Sequence, residues 1–550
     1  MKQSQFDFTQ GSLTKKLLLF SWPIILTNLL QVSFQLVDSL WIGNLLGGNA
    51  LGSVAIASTI LFTILSLVLG LNNAVLTILS QQKGRNDSAG LKAYINAFII
   101  LFLLLTLLLS MLGAWFAPAI LSLLSTPSSM MEGASAYLTI HFYGLLFLVG
   151  YNFISTVLRA LGDSKTPLKI VGLAVCLNIV LDPIFISVFN LGINGAAYAT
   201  LISQGLAFAY GTYVVYTTKS IPFMRPSIPK KTEVSLIFRL GIPSSLQMVV
   251  ISAAIAAIIG TVAAFGEDSV AGFSAAQRLD SLIMLPAAAL GTAVNSMAGQ
   301  LIGAAQLYRL QKLSRLAVVY NLVLMCAIAL VIFILAEPAI RLFIQEEAAV
   351  DFGTTYLRII ALCYPFLGIN FVLNGIVRAA GAMYQVLALN ILSLWVLRYP
   401  LTNLFSSTFE EIGIAIGMGT SFVLSSLFAY LYYRFGKWRQ KSFLHNEHKR
   451  SLEIMSQSKK ERPSFIMMVY MWLFVLVAVV NIVGIASQTL YESIFPFFLV
   501  SLLNIVLVAL LILQALRTTD NRERRLSIIY LIAMIVVSAV TFFRYLSMQV

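Results

Sequence analysis

The chain has 550 residues, 59% of them hydrophobic and only 11% charged, with a mean hydropathy of +0.89. Soluble domains carry about 25% charged residues, so this composition excludes a water-exposed globular surface. It also excludes disorder, and three cysteines exclude a disulfide-built secreted scaffold. The net charge of +14 would suggest nucleic acid in a soluble protein, whereas in a membrane protein it reports basic inner loops.

Apolar runs long enough to cross a bilayer, about 20 residues, follow one another along the chain. They are centred near Thr27, Leu65, Leu104, Phe147, Leu177 and Ala207, then Ala253, Ala287, Leu324, Leu367, Ser393 and Leu424, and finally Leu476, Leu507 and Val537. The polar start with Lys15 and Lys16 leads into the first run without a small-residue cleavage site, which predicts a retained span. With the N-terminus in the cytoplasm, Lys83, Arg85, Lys92, Lys165, Lys169, Lys230, Lys231, Arg309 and Lys312 fall on the inner side. Outer loops receive Glu132, Glu267, Asp268, Glu346 and Glu347 instead. That alternation predicts a multi-pass protein of the cell membrane, N-terminus inside and C-terminus outside. Cys176, Cys326 and Cys363 lie inside apolar runs, which predicts buried thiols.

The sequence repeats itself in one order. Phe20-Ser21-Trp22-Pro23 parallels Leu240-Gly241-Ile242-Pro243, and Gln81 to Gly84 parallels Gln300 to Gly303. Leu158-Arg159-Ala160-Leu161-Gly162 parallels Val377-Arg378-Ala379-Ala380-Gly381, and Gly192-Ile193 parallels Gly413-Ile414. Each half starts on the same side, so the repeat is parallel, with its axis along the membrane normal, as in transporters that close one face while opening the other. The expected architecture is all-α and integral to the membrane. It comprises a six-helix lobe over residues 1–220, a second over 221–435, a basic cytoplasmic linker over 436–463 and a three-helix module over 464–550.

Acidic residues inside spans are expensive and therefore informative. Asp38 lies late in the first span, and Asp182 closes Asn178-Ile179-Val180-Leu181-Asp182-Pro183 in the fifth. Asn178 and Asp182, four apart, share a helical face, and Pro183 withholds a backbone N–H, so nearby carbonyls could meet a cation or water. The matching positions of the second half hold Ile258 and Arg398/Tyr399, which predicts one proton or cation site in one lobe. The alternative is that both aspartates are solvated at the outer interface. Arg278 and Asp280 read as an interfacial pair fixing helix packing, Arg159 and Asp163 as shapers of an inner turn, and Arg398 is left open between pairing, snorkelling and facing a cavity. His445, Glu447 and His448 on the linker are too few for a metal site. No phosphate-binding G-x-x-x-x-G-K-[ST] loop occurs, so an ion gradient is the expected energy source, and no catalytic motif stands out.

The motifs together resemble the multidrug and toxic compound extrusion (MATE) family over residues 12–435. They are Trp22-Pro23, Val37-Asp38, the Gln81 to Gly84 turn, Leu158 through Pro167, Asn178 through Pro183, Gly192 through Thr200, and Leu285-Pro286 through Ala304. The resemblance implies two six-helix lobes in a V around a central cavity, exporting drugs or metabolites against inward H⁺ or Na⁺. In the DinF-like branch the cation network would fall here on Asp38, Tyr137, Asn152, Asn178, Asp182 and Thr200, with Pro23 as the bend of the first helix. Ser155 replaces a further asparagine of that pattern, and the C-lobe acids of the Na⁺-dependent branch are unmatched.

The expected function is an antiporter exporting organic, amphipathic cations from a single-chain unit in the bilayer. It would use H⁺ or Na⁺ as coupling ion, with no cofactor and no nucleic acid. A lipid or lipid-linked saccharide flippase of the same superfamily, which would need a basic cavity, is the rival. A membrane enzyme or signalling protein built on the last three spans is the reading from another class.

Overall fold

A computed structural model describes residues 5–441 except Ser125, together with a helical run over 524–535 and isolated positions between 473 and 538. All regular elements among the described residues are helical. The first half holds α1 (Leu13–Leu46), α2 (Gly48–Gly84), α3 (Ser88–Leu123), α4 (Ser128–Ala160), α5 (Lys165–Pro183) and α6 (Gly192–Thr218). The second holds α7 (Lys231–Ala263), α8 (Glu267–Gly303), α9 (Leu307–Arg341), α10 (Glu347–Ala361) and α11 (Tyr364–Ala379). It ends with α12 (Met383–Ile391), α13 (Tyr399–Phe409) and α14 (Ile412–Phe435). Among the described residues nine helices are long and apolar enough to cross a bilayer, and α10 with α11 make a tenth candidate bent by 53°.

The first twelve predicted centres all fall on this helical framework. Leu367 lies in the bent α10–α11 pair, and Ser393 in a π-helical stretch, Leu392–Arg398, that joins α12 to α13. A second π turn, Ile184–Val188, follows Pro183 at the end of α5. Most of the linker, with His445, Glu447 and His448, and most of residues 464–550 lie outside the described residues. Of the latter, Val477, Leu507, Leu511 and Met534 form a small apolar cluster.

Local chemistry sets the helix ends. The Ser12 hydroxyl accepts from the Lys15 amide at the start of α1, and the Asp87 carboxylate from the Gly90 amide at the start of α3. Outward faces are apolar, with Leu104, Met111 and Trp115 on α3 and Val323, Leu330 and Ile334 on α9 all exposed. Cys176 and Cys326 are exposed too, and only Cys363 is buried among the described residues. The expectation of three buried thiols fails because hydrocarbon tails are as apolar as a protein core and do not drive such side chains inward.

The two lobes are stitched together by crossed helices. The early residues of α1, Leu13 to Ile25, pack into a core with α8, α9 and α11, whereas Ile42 belongs to the core of the first half. On α7, Ile237 and Leu240 join the first half's core, and Ile258 and Val262 the second's. Pro23 and Pro243, both buried, sit near these changeovers, yet α1 is one unbroken helix.

Lobe-to-lobe polar contacts gather at the end where Lys83, Lys165 and Arg309 lie, and they obey the repeat. The Gln81 side-chain amide donates to the Ala379 carbonyl at 2.6 Å, and that of Gln300 to the Ala160 carbonyl at 2.9 Å. Thr77 donates to the Arg378 carbonyl at 3.3 Å and Ser296 to the Arg159 carbonyl at 2.6 Å. Gly84 and Gly303 permit this approach, since a Cβ on either would lie 2.0 or 2.1 Å from the Gln300 or Gln81 carbonyl oxygen. The N-terminal segment seals the seam: the Phe6 amide donates to Gly162, the Phe8 amide to the Gln300 side chain, and Arg309 to the Phe8 and Gly11 carbonyls.

Candidate functional site

Four helices of the first lobe converge on two aspartates. α1 brings Asp38, which is 8% exposed, and α5 brings Asp182, fully buried. The Tyr137 hydroxyl on α4 donates to Asp38 Oδ2 at 3.3 Å. The Asn178 side-chain amide donates to Asp182 Oδ1 at 2.7 Å and reaches the Thr200 hydroxyl on α6 at 3.3 Å. The four-residue spacing of Asn178 and Asp182 therefore does place both groups on one face, one turn before the helix loosens into its π turn.

The cluster is incompletely satisfied. Asp38 Oδ1, Asn178 Oδ1 and Asp182 Oδ2 are buried with no hydrogen-bond partner. No ion pair among the described residues involves either aspartate. Two carboxyl groups withdrawn from water without a basic partner need a proton or cation to offset their charge, and three free acceptor oxygens are what such a visitor would meet.

The structure does not bring every expected residue here. Asn152 lies fifteen residues beyond Tyr137 on α4, about 22 Å along the axis at ~1.5 Å per residue. Its amide donates to the Leu148 carbonyl, and its side chain lines the cavity between the lobes. Ser155 donates to the Tyr151 carbonyl. One neighbour was not anticipated: the His141 ring lies 4.2 Å from that of Tyr137, and its Nδ1 bonds the Tyr137 carbonyl at 2.9 Å. The carbonyl can only accept, so Nδ1 carries the hydrogen. Its signal was available, a histidine inside a span and four residues from Tyr137.

The second lobe holds a buried acid as well, Asp280, which the sequence placed in an interfacial pair with Arg278. Asp280 on α8 is buried and accepts from Tyr356 at 3.1 Å and from Tyr364, so both of its oxygens are bonded. Arg278 does not pair with it. That guanidinium is exposed and lies 5.8 Å from the Phe343 ring, because positions two apart on a helix point in different directions. Arg398 instead donates to the Ser421 hydroxyl at 3.2 Å and lies over the Phe422 ring at 4.6 Å.

Between the lobes lies a cavity of about 790 Å³. Its charged lining is Arg159, Arg278, Arg378 and Arg398 with one acid, Asp280, and Met248, Ile255 and Phe371 supply apolar wall. Asp163 behaves as the sequence suggests, accepting from the Lys165 and Thr166 amides to cap α5. Arg159 does not merely shape that turn: its side chain enters the cavity, because the lobes converge where α4 ends.

Comparison with known proteins agrees with this architecture. The MatE family model matches residues 23–184 and again 243–404, an offset equal to that of the repeat. The "Probable multidrug resistance protein YpnP" of Bacillus subtilis (strain 168) is 57% identical over 434 residues, covering 79% of this chain and 98% of that protein. A second Bacillus subtilis protein, "Probable multidrug resistance protein YoeA", is 29% identical over 446 residues, 79% of this chain and 96% of its own. The Vibrio cholerae MATE transporter VcmN in the bent form superposes with a TM-score of 0.75 at 24% identity, over 78% of this chain and 98% of that one, and so attests to the fold. A doubly matched family model on a two-lobed helical frame leaves one conclusion: the chain belongs to the multidrug and toxic compound extrusion (MATE) family of membrane transporters.

Proposed function

We propose that this transporter is a secondary active exporter, moving organic compounds out across the cell membrane in exchange for H⁺ or Na⁺. The working unit is a single chain whose basic end, with the N-terminus, faces the cytoplasm. The observation that carries the proposal is the set of three unbonded, buried oxygens on Asp38, Asn178 and Asp182. The relatives named as probable multidrug resistance proteins support drugs as part of the cargo.

Exchange follows if the ion and the substrate favour opposite-facing states, since a ligand shifts an equilibrium only by its difference in affinity for the two. Proton or Na⁺ arrival at the Asp38–Asp182 cluster changes the charge that α1, α4, α5 and α6 enclose, and α1 passes from there into the core of the other lobe. A cationic substrate, expected from the acids alone, is not carried forward, because four arginines and one aspartate line the cavity between the lobes.

The test is transport by the full-length protein in liposomes under an imposed pH or Na⁺ gradient. Asp38→Asn and Asp182→Asn are each expected to abolish gradient-driven movement. Undiminished transport in both variants would sink the assignment of this cluster.

A further inference from the structure

Arg159 and Arg378 occupy equivalent places in the repeat, at the last turns of α4 and α11. Each reaches the same cavity, and in each the Nε is buried with no hydrogen-bond partner. No hydrogen bond or ion pair joins either side chain to another described residue. Arginine stays protonated in proteins, and its planar fork matches carboxylate, sulfonate and phosphate oxygens two at a time. A guanidinium partly withdrawn from water without a counter-charge is costly. Arg398 and Arg278 line the same cavity and add to its positive charge, and the remaining acid, Asp280, already has both oxygens bonded to tyrosines.

We infer that the central cavity takes an organic anion, whose carboxylate, sulfonate or phosphate group is held jointly by Arg159 and Arg378 while its apolar body lies against Met248, Ile255 and Phe371. The inference rests on the exporter reading only for the direction of movement. Its geometry also ties binding to the state of the lobes. Arg159 belongs to the first lobe but its carbonyl is held by Ser296 of the second; Arg378 belongs to the second and its carbonyl is held by Thr77 of the first. Parting the lobes at this end breaks both tethers and separates the two guanidinium groups, so a ligand that bridges them binds the two states unequally.

Two dyes built on one ring system, fluorescein (an anion) and rhodamine 123 (a cation), test the charge. Full-length protein in phosphatidylcholine nanodiscs is expected to bind fluorescein more tightly by at least about tenfold. Arg159→Gln and Arg378→Gln should each erase that preference, and Arg159→Lys and Arg378→Lys should keep most of it. Should the glutamine variants misfold, the dye comparison on the unaltered protein and the lysine pair still decides. Rhodamine 123 binding as tightly as fluorescein, fluorescein failing to bind, or fluorescein binding unmoved in both glutamine variants overturns the inference. Nanodiscs that also contain phosphatidylglycerol separate two sources of the anion. Competition assigns the site to a lipid headgroup and its absence to a soluble compound, and either result keeps the anionic chemistry. Fluorescein that binds through these arginines yet is not moved in liposomes by either gradient supports the anion site and counts against the exporter reading alone.

Discussion

The two lobes carry the same frame with opposite electrostatics. Tyr137 and Tyr356 are repeat partners, and each donates a hydroxyl to a buried aspartate. Asn178 and Arg398 are likewise equivalent, and each donates to a hydroxyl on the last helix of its lobe, Thr200 or Ser421. The first lobe adds a second acid and leaves three oxygens unbonded. The second lobe keeps one acid, moves it from the first helix of the lobe to the second, bonds both its oxygens and adds an arginine nearby. One lobe must have its charge balanced from outside; the other balances its own. In a parallel repeat that difference fits the proposal of an exchangeable site on one side with a fixed counterpart on the other.

The largest expected effect comes from making the first lobe imitate the second. Asn178→Arg places a guanidinium where Arg398 stands in the repeat, beside Asp182 and Thr200, and so builds a permanent counter-charge into the cluster. Ion-driven transport is expected to fall by more than about tenfold, equivalent to ~1.4 kcal/mol in the limiting step, in protein that still reconstitutes and unfolds cooperatively. Transport that persists with its ion dependence intact would show that the charge difference between the lobes is incidental.

A smaller effect separates the lobes by stability. In Asp280→Asn two tyrosines lose a charged acceptor and the cavity that Arg398 lines loses its one acid, so stability should drop by about 1–3 kcal/mol. Asp182→Asn removes a buried charge that nothing balances, so its thermal midpoint should hold or rise while coupling is lost. The check is thermal unfolding of both variants in one detergent. Equal destabilisation would mean that Asp182 is structurally satisfied and the comparison fails.

Legibility in the sequence followed the same division. Asp38 and Asp182 were readable because charges inside spans are rare, and Asn178 because the spacing of four is a geometric constraint. The second lobe's cluster was hidden by the move of its acid to α8: matching position to position found Ile258 and Arg398, neither of them acidic. Tyr356 and Tyr364, two of 21 tyrosines, carried no local signal, and their convergence depends on the 53° bend between α10 and α11. Pro365, just inside α11, announces such a bend without saying what it brings together. Arg159 was assigned to a turn because it ends a span; that its side chain enters a cavity follows from lobe packing, which no local pattern records. Asn152 shows the reverse, a family position whose side chain here faces the cavity and not the acids.

The smallest effect tests the place where the lobes should be alike. Gln81 and Gln300 make reciprocal bonds across the seam, each worth about 1 kcal/mol net. Gln81→Ala and Gln300→Ala should therefore loosen the basic end by similar amounts, read as spin-label separation between the tips of α2 and α8. Their surroundings differ in one respect. Gln300 Oε1 also accepts from the Phe8 amide, whereas Gln81 Oε1 is buried without a partner. That Phe8 contact is long, at 3.5 Å, so it should add little, and the two variants should fall within a few tenths of a kcal/mol of each other. A clearly larger opening in Gln300→Ala would make the N-terminal segment an energetic latch. The asymmetry would then extend from the buried clusters to the seam itself.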